Sequence, residues 1–362
     1  GRPAITQRQH PGFRRLLRLL GSEYSPGGGK GAGLAYAFGL HFAFTELHQR
    51  AGGSRNLVPI LVNILDDKEP AVRRGATVTL GLLGRAAKDA VPPLVKALSD
   101  NDARMRRAAA GALEGIGRGA AGAVPALVKT TLGDEDGRVR RTAIQALAKI
   151  GPAAKEAVPA LVKALGDPDP KIRCDAAQAF RKIGPASKKA VPALVKALAD
   201  EDRKVRSEAV WALRAMGTEA RAAVPALTRT LNSDPDERMR RGAASALGQI
   251  GAAAKDAVPD LIKALSDDDR HMRWKAVGAL GGFGPGVKEV VPALTEALSD
   301  SDSGVRWYAA RTLGRMGPKA TDAVAGLIRA LSDGESDVRY YAATALGKIG
   351  PAATEAVPAL VK

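Results

Sequence analysis

A Val-Pro pair returns through this chain at a nearly constant interval, and that interval limits the possible folds more than any other feature. The prolines are Pro59, Pro92, Pro125, Pro159, Pro192, Pro225, Pro259 and Pro292. One unit carries Ala325 after Val324 instead, and the series resumes at Pro358. The spacing is 33 or 34 residues throughout, giving nine full units and the start of a tenth. A period of this length marks stacked supersecondary units, each too small to bury its apolar face alone.

Each unit reads as two helices. The first is the stretch exemplified by Ala190–Leu198, with proline near its start, where the missing N–H would be unpaired anyway. An acidic turn follows, such as Asp167-Pro168-Asp169-Pro170. Its second acid stands at the N-cap of the next helix, and Glu69 and Glu335 take that place in two units. The second helix carries a strict apolar stripe, Val205, Ala209, Leu213 and Met216 in one copy. Intervals of four, four and three define one face of a 3.6-residue helix. With Val205 and its counterparts as origin, alanine fills the position four residues on in all nine units. A small residue there allows close helix approach. Glycine closes every second helix, from Gly84 to Gly350, in the place expected for a left-handed terminator. Stacking such units gives an all-α fold, an α-solenoid.

The Asp-x-Asp-x-x-Val-Arg run, followed by the alanine and leucine stripe and the closing glycine, as in Asp200–Gly217, resembles the HEAT-repeat family. The likeness is to its short, phycobilisome-lyase-like variant, with repeats of about 33 residues, and covers residues 57–362. It implies an α-solenoid superhelix whose second helices line a concave surface and whose first helices lie outside. Such a fold does not by itself specify a function.

Residues 1–56 do not fit the repeat. Pro11–Leu20 is basic and amphipathic, Tyr24–Gly33 is glycine-rich and expected to be flexible, and 35–50 is expected to form a capping helix over the first full unit. The chain begins at Gly1 and stops at Lys362 inside a segment that continues elsewhere, so a fragment is expected and the compartment is left open.

Composition narrows the chemistry. One cysteine, Cys174, excludes an internal disulfide framework and a multi-cysteine metal site. Four scattered histidines offer no histidine-rich centre, so neither metal nor cofactor is expected. No apolar run reaches the ~18 residues that span a bilayer. Ser25–Gly31 fails as a phosphate loop because Gly31 follows Lys30 and Tyr24 replaces the first glycine. The acidic turns lack calcium-loop spacing. No Ser-His-Asp or Cys-His pairing is suggested, so the chain is read as a non-enzyme, without the groove acids or nucleophiles a lyase would need.

Arginine follows the origin in all nine units, from Arg73 to Arg339, and aspartate precedes it by five residues. The two cancel in charge, and the resemblance implies a ladder of Arg–Asp hydrogen bonds joining neighbouring units; phosphate binding is the other reading. Bidentate geometry explains why lysine never substitutes. A basic column on the first helices (Lys96, Lys129, Lys163 and Lys196 among them) needs only solvent.

The variable positions are the informative ones. Two residues after the origin stand Arg74, Arg107, Arg141, Cys174, Ser207, Arg241, Trp274, Trp307 and Tyr340. Six after, the column includes Gln145, Gln178, Trp211 and Arg311. All three tryptophans lie in these columns, with Tyr308 and Tyr341 beside them. Tryptophan, tyrosine and arginine are enriched in binding hot spots. A uniform frame with variable outer columns points to a protein-interaction scaffold that takes a protein or peptide, with an acidic segment a fitting partner. The candidate binding residues are Trp211, Trp274, Trp307, Tyr340, Tyr308, Arg74, Arg107, Arg141, Arg241 and Arg311. The alternative is nucleic acid, whose phosphates would meet Arg74, Arg104, Arg107, Arg138 and Arg141. The net charge is +17, of which residues 1–56 (eight basic, two acidic) supply +6 and the repeats +11, interleaved with acidic turns.

Overall fold

The structure, a computed structural model, describes residues 11–21, 45, 46, 49 and 53–361. Among these the regular elements are all helical. Short first helices such as Val91–Ala97, Val158–Ala164 and Val324–Ala330 alternate with second helices such as Ala103–Ile116, Pro170–Ile183 and Ser303–Met316. The chain forms two compact bodies, Gly1–Ala186 with repeats 1–4 and Ser187–Lys362 with repeats 5–9 and the start of a tenth.

Local chemistry accounts for each boundary. Proline stands at the first or second position of first helices such as Val91–Ala97 and Val124–Gly133. The second helices begin on aspartate caps. Asp136 accepts from the Arg138 backbone N–H, and Asp169 and Asp236 accept from Lys171 and Arg238 in the same way. Glu69 and Glu335 occupy the cap position but make no side-chain cap hydrogen bond, because the extra methylene carries the carboxylate past the backbone donors. The helices end on glycines with positive φ. Their ψ differs from the expected left-handed turn: Gly217 has φ 56° and ψ −132°, and Gly251 φ 66° and ψ −138°. This extended mirror-image region is closed to residues with a Cβ. It aims the chain into a seven-residue 3-10 connector, such as Gly117–Ala123 or Gly317–Ala323, that the proline spacing did not announce.

The apolar stripe is the core. The alanines four after the origin, Ala76 and Ala109 among them in the first body and Ala243 and Ala309 in the second, are fully buried. Origin residues Val72, Val139, Val205 and Val338 are equally buried. Burial of this stripe between neighbouring repeats supplies the main stabilisation, at about 25 cal/mol per Å² of apolar surface.

The ladder is structural. Arg106 holds Asp134 of the next repeat through Nε–Oδ2 at 2.7 Å and Nη2–Oδ1 at 2.9 Å. Arg273 holds Asp300 at 2.8 and 2.9 Å, and Arg306 holds Asp333 at 2.7 and 2.9 Å. The free Nη1 of each turns back to carbonyls of its own acidic turn, as from Arg106 to the Asp100 oxygen at 3.0 Å. The same aspartates accept a backbone N–H two residues on, such as Asp136 N–H to Asp134. Each rung therefore fixes the turn before a helix and the neighbouring repeat together. The fork is looser elsewhere, with Arg140 making a single bond to Asp167 at 3.2 Å and Arg206 standing 3.9 Å from Asp234.

The N-terminal body carries a cap of its own. The expected capping helix 35–50 falls, save for residues 45, 46 and 49, outside the described residues. Helix Pro11–Gly21 packs on helix Pro70–Leu82 of repeat 1, with Leu16, Leu17 and Leu20 buried. Arg14 donates to both carboxylate oxygens of Asp67, so it takes the ladder position of a preceding repeat. Arg18 forks onto Glu69 at 2.5 and 2.8 Å, which is where the idle cap residue spends its carboxylate. Gly75 allows the crossing, since a Cβ there would lie 1.8 Å from the Leu17 carbonyl oxygen. The basic amphipathic stretch thus turns its apolar side inward onto the repeats.

Candidate functional site

In the C-terminal body the outer faces of three successive second helices carry rings in mutual contact. Trp274, on helix Arg270–Phe283, stacks on Tyr308 of helix Ser303–Met316 at 4.7 Å between centroids and 21° between planes. Tyr308 meets Trp307 at 5.4 Å, tilted by 60°. Trp307 stacks on Tyr341 of helix Ser336–Ile349 at 5.2 Å and 28°, and Tyr341 meets Tyr340 edge-on at 5.2 Å. Five rings thus form one unbroken row. Offset and edge contacts of this kind contribute ~0.5–1.5 kcal/mol each beyond area burial.

Exposure grades along that row. Trp274, Trp307, Tyr308 and Tyr341 are half-buried, whereas Tyr340 is 65% exposed. The inner rings are neither sealed between repeats nor free in solvent. Trp211 stands apart from the row, 36% exposed, with the Arg214 guanidinium 5.0 Å over its ring. Lys275 lies over Trp274 in the same manner at 4.7 Å. Both are cation–π contacts, worth ~0.5–2 kcal/mol depending on exposure.

The arginines chosen from sequence are differently placed. Arg74 reaches the cap carboxylate of repeat 2, Asp102, at 3.1 Å. Arg241 reaches Glu237 at 3.1 Å and the cap Asp269 of the next repeat at 3.4 Å. Arg141 donates to the buried Asp175 at 2.5 Å, with Gln145 donating to the same oxygen at 2.9 Å. These arginines form a second set of ties between repeats, so their charge is largely spent inside the molecule. Arg107 is half-buried, and Arg311 stands exposed beside the aromatic row.

The ladder carboxylates carry the electrostatic signature of this pairing. Asp333 is held below the usual carboxylate range by the hydrogen bond from Arg306, against the opposing effect of burial. Burial alone would raise Asp134 and Asp300. Hydrogen bonds from Arg106 and Arg273, backbone donors and the flanking positive charges outweigh it and lower both. Glu114 moves the other way, pushed up by burial.

Among the described residues no group of three or more histidines, cysteines and carboxylates could hold a metal ion, and no helix is long and apolar enough to cross a membrane. Cys174 is half-buried and forms no disulfide among the described residues. Of the further residues at this face, the sequence marked Tyr308 and Tyr341 but not Lys275, Arg214 and Arg315. Tyr308, Tyr341 and Lys275 sit three after the origin, and Arg214 and Arg315 nine and ten after it. Their signal was the same variability between repeats that marked the columns at two and six.

The family model for HEAT repeats matches residues 58–148, 124–214, 158–248, 191–271, 224–306, 258–324 and 291–362, an overlapping series over most of the chain. The chain belongs to the HEAT-repeat family. HEAT-repeat solenoids of this kind typically serve as protein-interaction scaffolds. Among solved structures, an engineered protein shares 26% identity with a TM-score of 0.59, covering 93% of this chain and 98% of that one. Yeast importin-beta is 14% identical, with a TM-score of 0.55 over 99% of this chain and 56% of its own. A Kap95:Nup1 complex gives 15% identity and a TM-score of 0.58, covering 96% and 52%. The HEAT-repeat chain thus spans about half the length of the importin structures, which share its fold. Comparison with curated protein sequences gives no match.

Proposed function

We propose that this HEAT-repeat chain is a non-enzymatic scaffold that binds a protein or peptide across the second helices of its C-terminal body. The observation that carries the reading is the unbroken row of five rings, ending in a tyrosine 65% exposed. Rows of large aromatics with one open edge supply contact area at small conformational cost, which is why they recur as interface anchors. Tyr340 and Trp211 are the rings free to be covered, and Trp274, Trp307, Tyr308 and Tyr341 hold the row in place. Arg311, exposed beside the row, suits an acidic side chain of the partner. The solved importin-type structures include one with Nup1 and one concerning RanGDP, both protein partners of those proteins. The alternative, nucleic acid along the arginines of repeats 1–3, is weakened by the pairing of Arg74 with Asp102 and of Arg141 with Asp175.

The test is a capture experiment from native lysate with the full chain and its Tyr340→Ala/Trp211→Ala variant, beside a melting curve. Loss of a specific captured protein with the melting temperature unchanged supports the reading. Unchanged capture by the variant rejects it. Salt-sensitive retention of generic duplex DNA, undiminished in the variant, would favour the phosphate-backbone reading instead.

A further inference from the structure

The cations on the second helices fall into two groups. One group already holds carboxylates: Arg106 with Asp134, Arg273 with Asp300, Arg306 with Asp333, Arg241 with Glu237 and Asp269. Arg214, Lys275 and Arg315 belong to the other. None of the three makes an ion pair among the described residues. They nevertheless converge on a single cavity of about 300 Å³ within the C-terminal body. No carboxylate lines that cavity; its other polar side chains are Ser245, Gln249 and the Tyr308 phenol, and Trp274 forms its apolar wall.

The repeat frame explains how the cavity arises. Arg214 and Arg315 stand in the last turns of helices Arg203–Met216 and Ser303–Met316, and Lys275 in the first turns of the helix Arg270–Phe283. Between them the outer face is bare, because Gly278 and Gly282 occupy positions where other repeats carry Trp211, Gln145 or Lys149. The bareness is required by packing as well as permitted. A Cβ on Gly282 would lie 2.0 Å from the Gly248 carbonyl oxygen, and one on Gly278 would lie 3.0 Å from the Tyr308 ring and hydroxyl. Helices that close leave a recess over their contact line, and the cations stand around it. Burial lowers the Lys275 ammonium below the usual lysine range, and the positive charges of Arg214 and Arg241 press the same way. Like charges gathered around a recess without a counter-ion are in a state that a bound anion relieves.

We infer that this cavity binds a phosphate monoester carried by the partner, with Arg214, Lys275 and Arg315 as its oxyanion ligands and the Trp274–Tyr308 stack as its wall. The inference rests on the partner-binding reading for the source of the phosphate and deepens it by giving that partner a chemical mark. Charge decides between phosphate and carboxylate. A phosphate monoester carries about −1.5 to −2 at pH 7 and offers three strong acceptor oxygens, whereas a carboxylate carries a single charge and would leave most of the cluster uncompensated. Guanidinium forks match phosphate oxygens in pairs, and Lys275 adds a point charge. Ser245 and Gln249 supply neutral donors from the lining.

The experiment titrates the full chain, in phosphate-free buffer of low salt, with phosphoserine, inorganic phosphate and aspartate, read by calorimetry and tryptophan emission. Phosphoserine is expected to bind at one site per chain, at least about tenfold tighter than aspartate. Lys275→Gln and Arg315→Gln are each expected to weaken it about tenfold with the melting temperature unchanged, and Lys96→Gln, on a first helix of the other body, is expected to leave it untouched. Absence of binding at millimolar phosphoserine overturns the proposal. Aspartate binding as tightly as phosphoserine overturns the phosphate assignment, and inorganic phosphate binding more tightly than phosphoserine overturns the partner-borne source. An equal loss in Lys96→Gln shows undirected charge and also overturns it. Tyr340 and Trp211 lie outside the cavity lining, so a cavity indifferent to phosphate leaves the capture result, and the scaffold reading, standing on its own.

Discussion

The two bodies share a frame and differ in how they dress it. In repeats 1–3 the position two after the origin carries arginine, and Arg74 and Arg141 spend their charge on Asp102 and Asp175. In repeats 7–9 the same position carries Trp274, Trp307 and Tyr340, which meet other rings and are not sealed from solvent. The backbone offers identical seats in both places. What fills them decides whether neighbouring repeats are tied by charge or lined by aromatic surface left over for another molecule. A uniform scaffold can therefore separate holding itself together from holding something else, column by column.

The largest effect expected comes from cutting the frame itself. Asp134→Ala leaves Arg106 without its fork in a site where both side chains are nearly buried, 11% and 6% exposed. A loss of about 3–5 kcal/mol in unfolding free energy is expected by chemical denaturation. Asp300→Ala in the other body should match it; a much smaller loss there would mean that the two bodies do not rest on the ladder alike. Next in size is Gly282→Ala, which drives a Cβ to 2.0 Å from the Gly248 oxygen and is expected to cost about 1–3 kcal/mol. Gly347→Ala, with open space around the added carbon, should be neutral or slightly stabilising in the same melting experiment.

The two bodies are expected to share one pH dependence. Asp134, Asp300 and Asp333 are all lowered in the folded state. Their contribution is thus complete above the unfolded carboxylate value, about 3.9, and is lost as pH falls through the folded values. Stability is expected to hold from neutral pH to about pH 5 and then to fall steeply, in both bodies. The ladder would be disproved as an acid-sensitive element by a flat profile down to pH 3. The smallest effect belongs to the exposed end of the row. Tyr340→Ala should change stability by no more than ~0.5 kcal/mol, whereas Trp307→Ala, which strips two ring contacts, should cost about 1–3 kcal/mol.

The sequence made some of this legible and hid the rest for reasons that are physical. Repeat register, apolar stripe, aspartate caps and ladder are local: each depends on spacing within one unit or on a fixed offset to the next, so periodicity exposes them. The closing glycines were legible as positive-φ positions, but their ψ depends on the 3-10 connector, which has no apolar signature. The seating of Pro11–Gly21 was hidden because residues 22–53 interrupt the period, so neither Arg14 as a rung nor Gly75 as its landing place stood in register with anything. The ring row was half legible. Trp274, Trp307 and Tyr340 stood out in one column, but the rings that join them, Tyr308 and Tyr341, sit in the adjacent column, and only a folded neighbour brings the two columns together. Arg214 and Arg315, nine and ten residues after the origin, gave no reason to be read with Lys275, three after it.

Arg14 and Arg18 close the start of the first body by pairing with Asp67 and Glu69. A self-similar array has no intrinsic length, because every end offers the same socket as every junction. Here Glu69 forgoes its service to its own helix and grips Arg18, while Arg14 plugs the acid beside it. That socket is thereby keyed to one insert of this chain, and an ordinary repeat, arriving with a valine-arginine pair and nothing to match Glu69, finds its seat already taken.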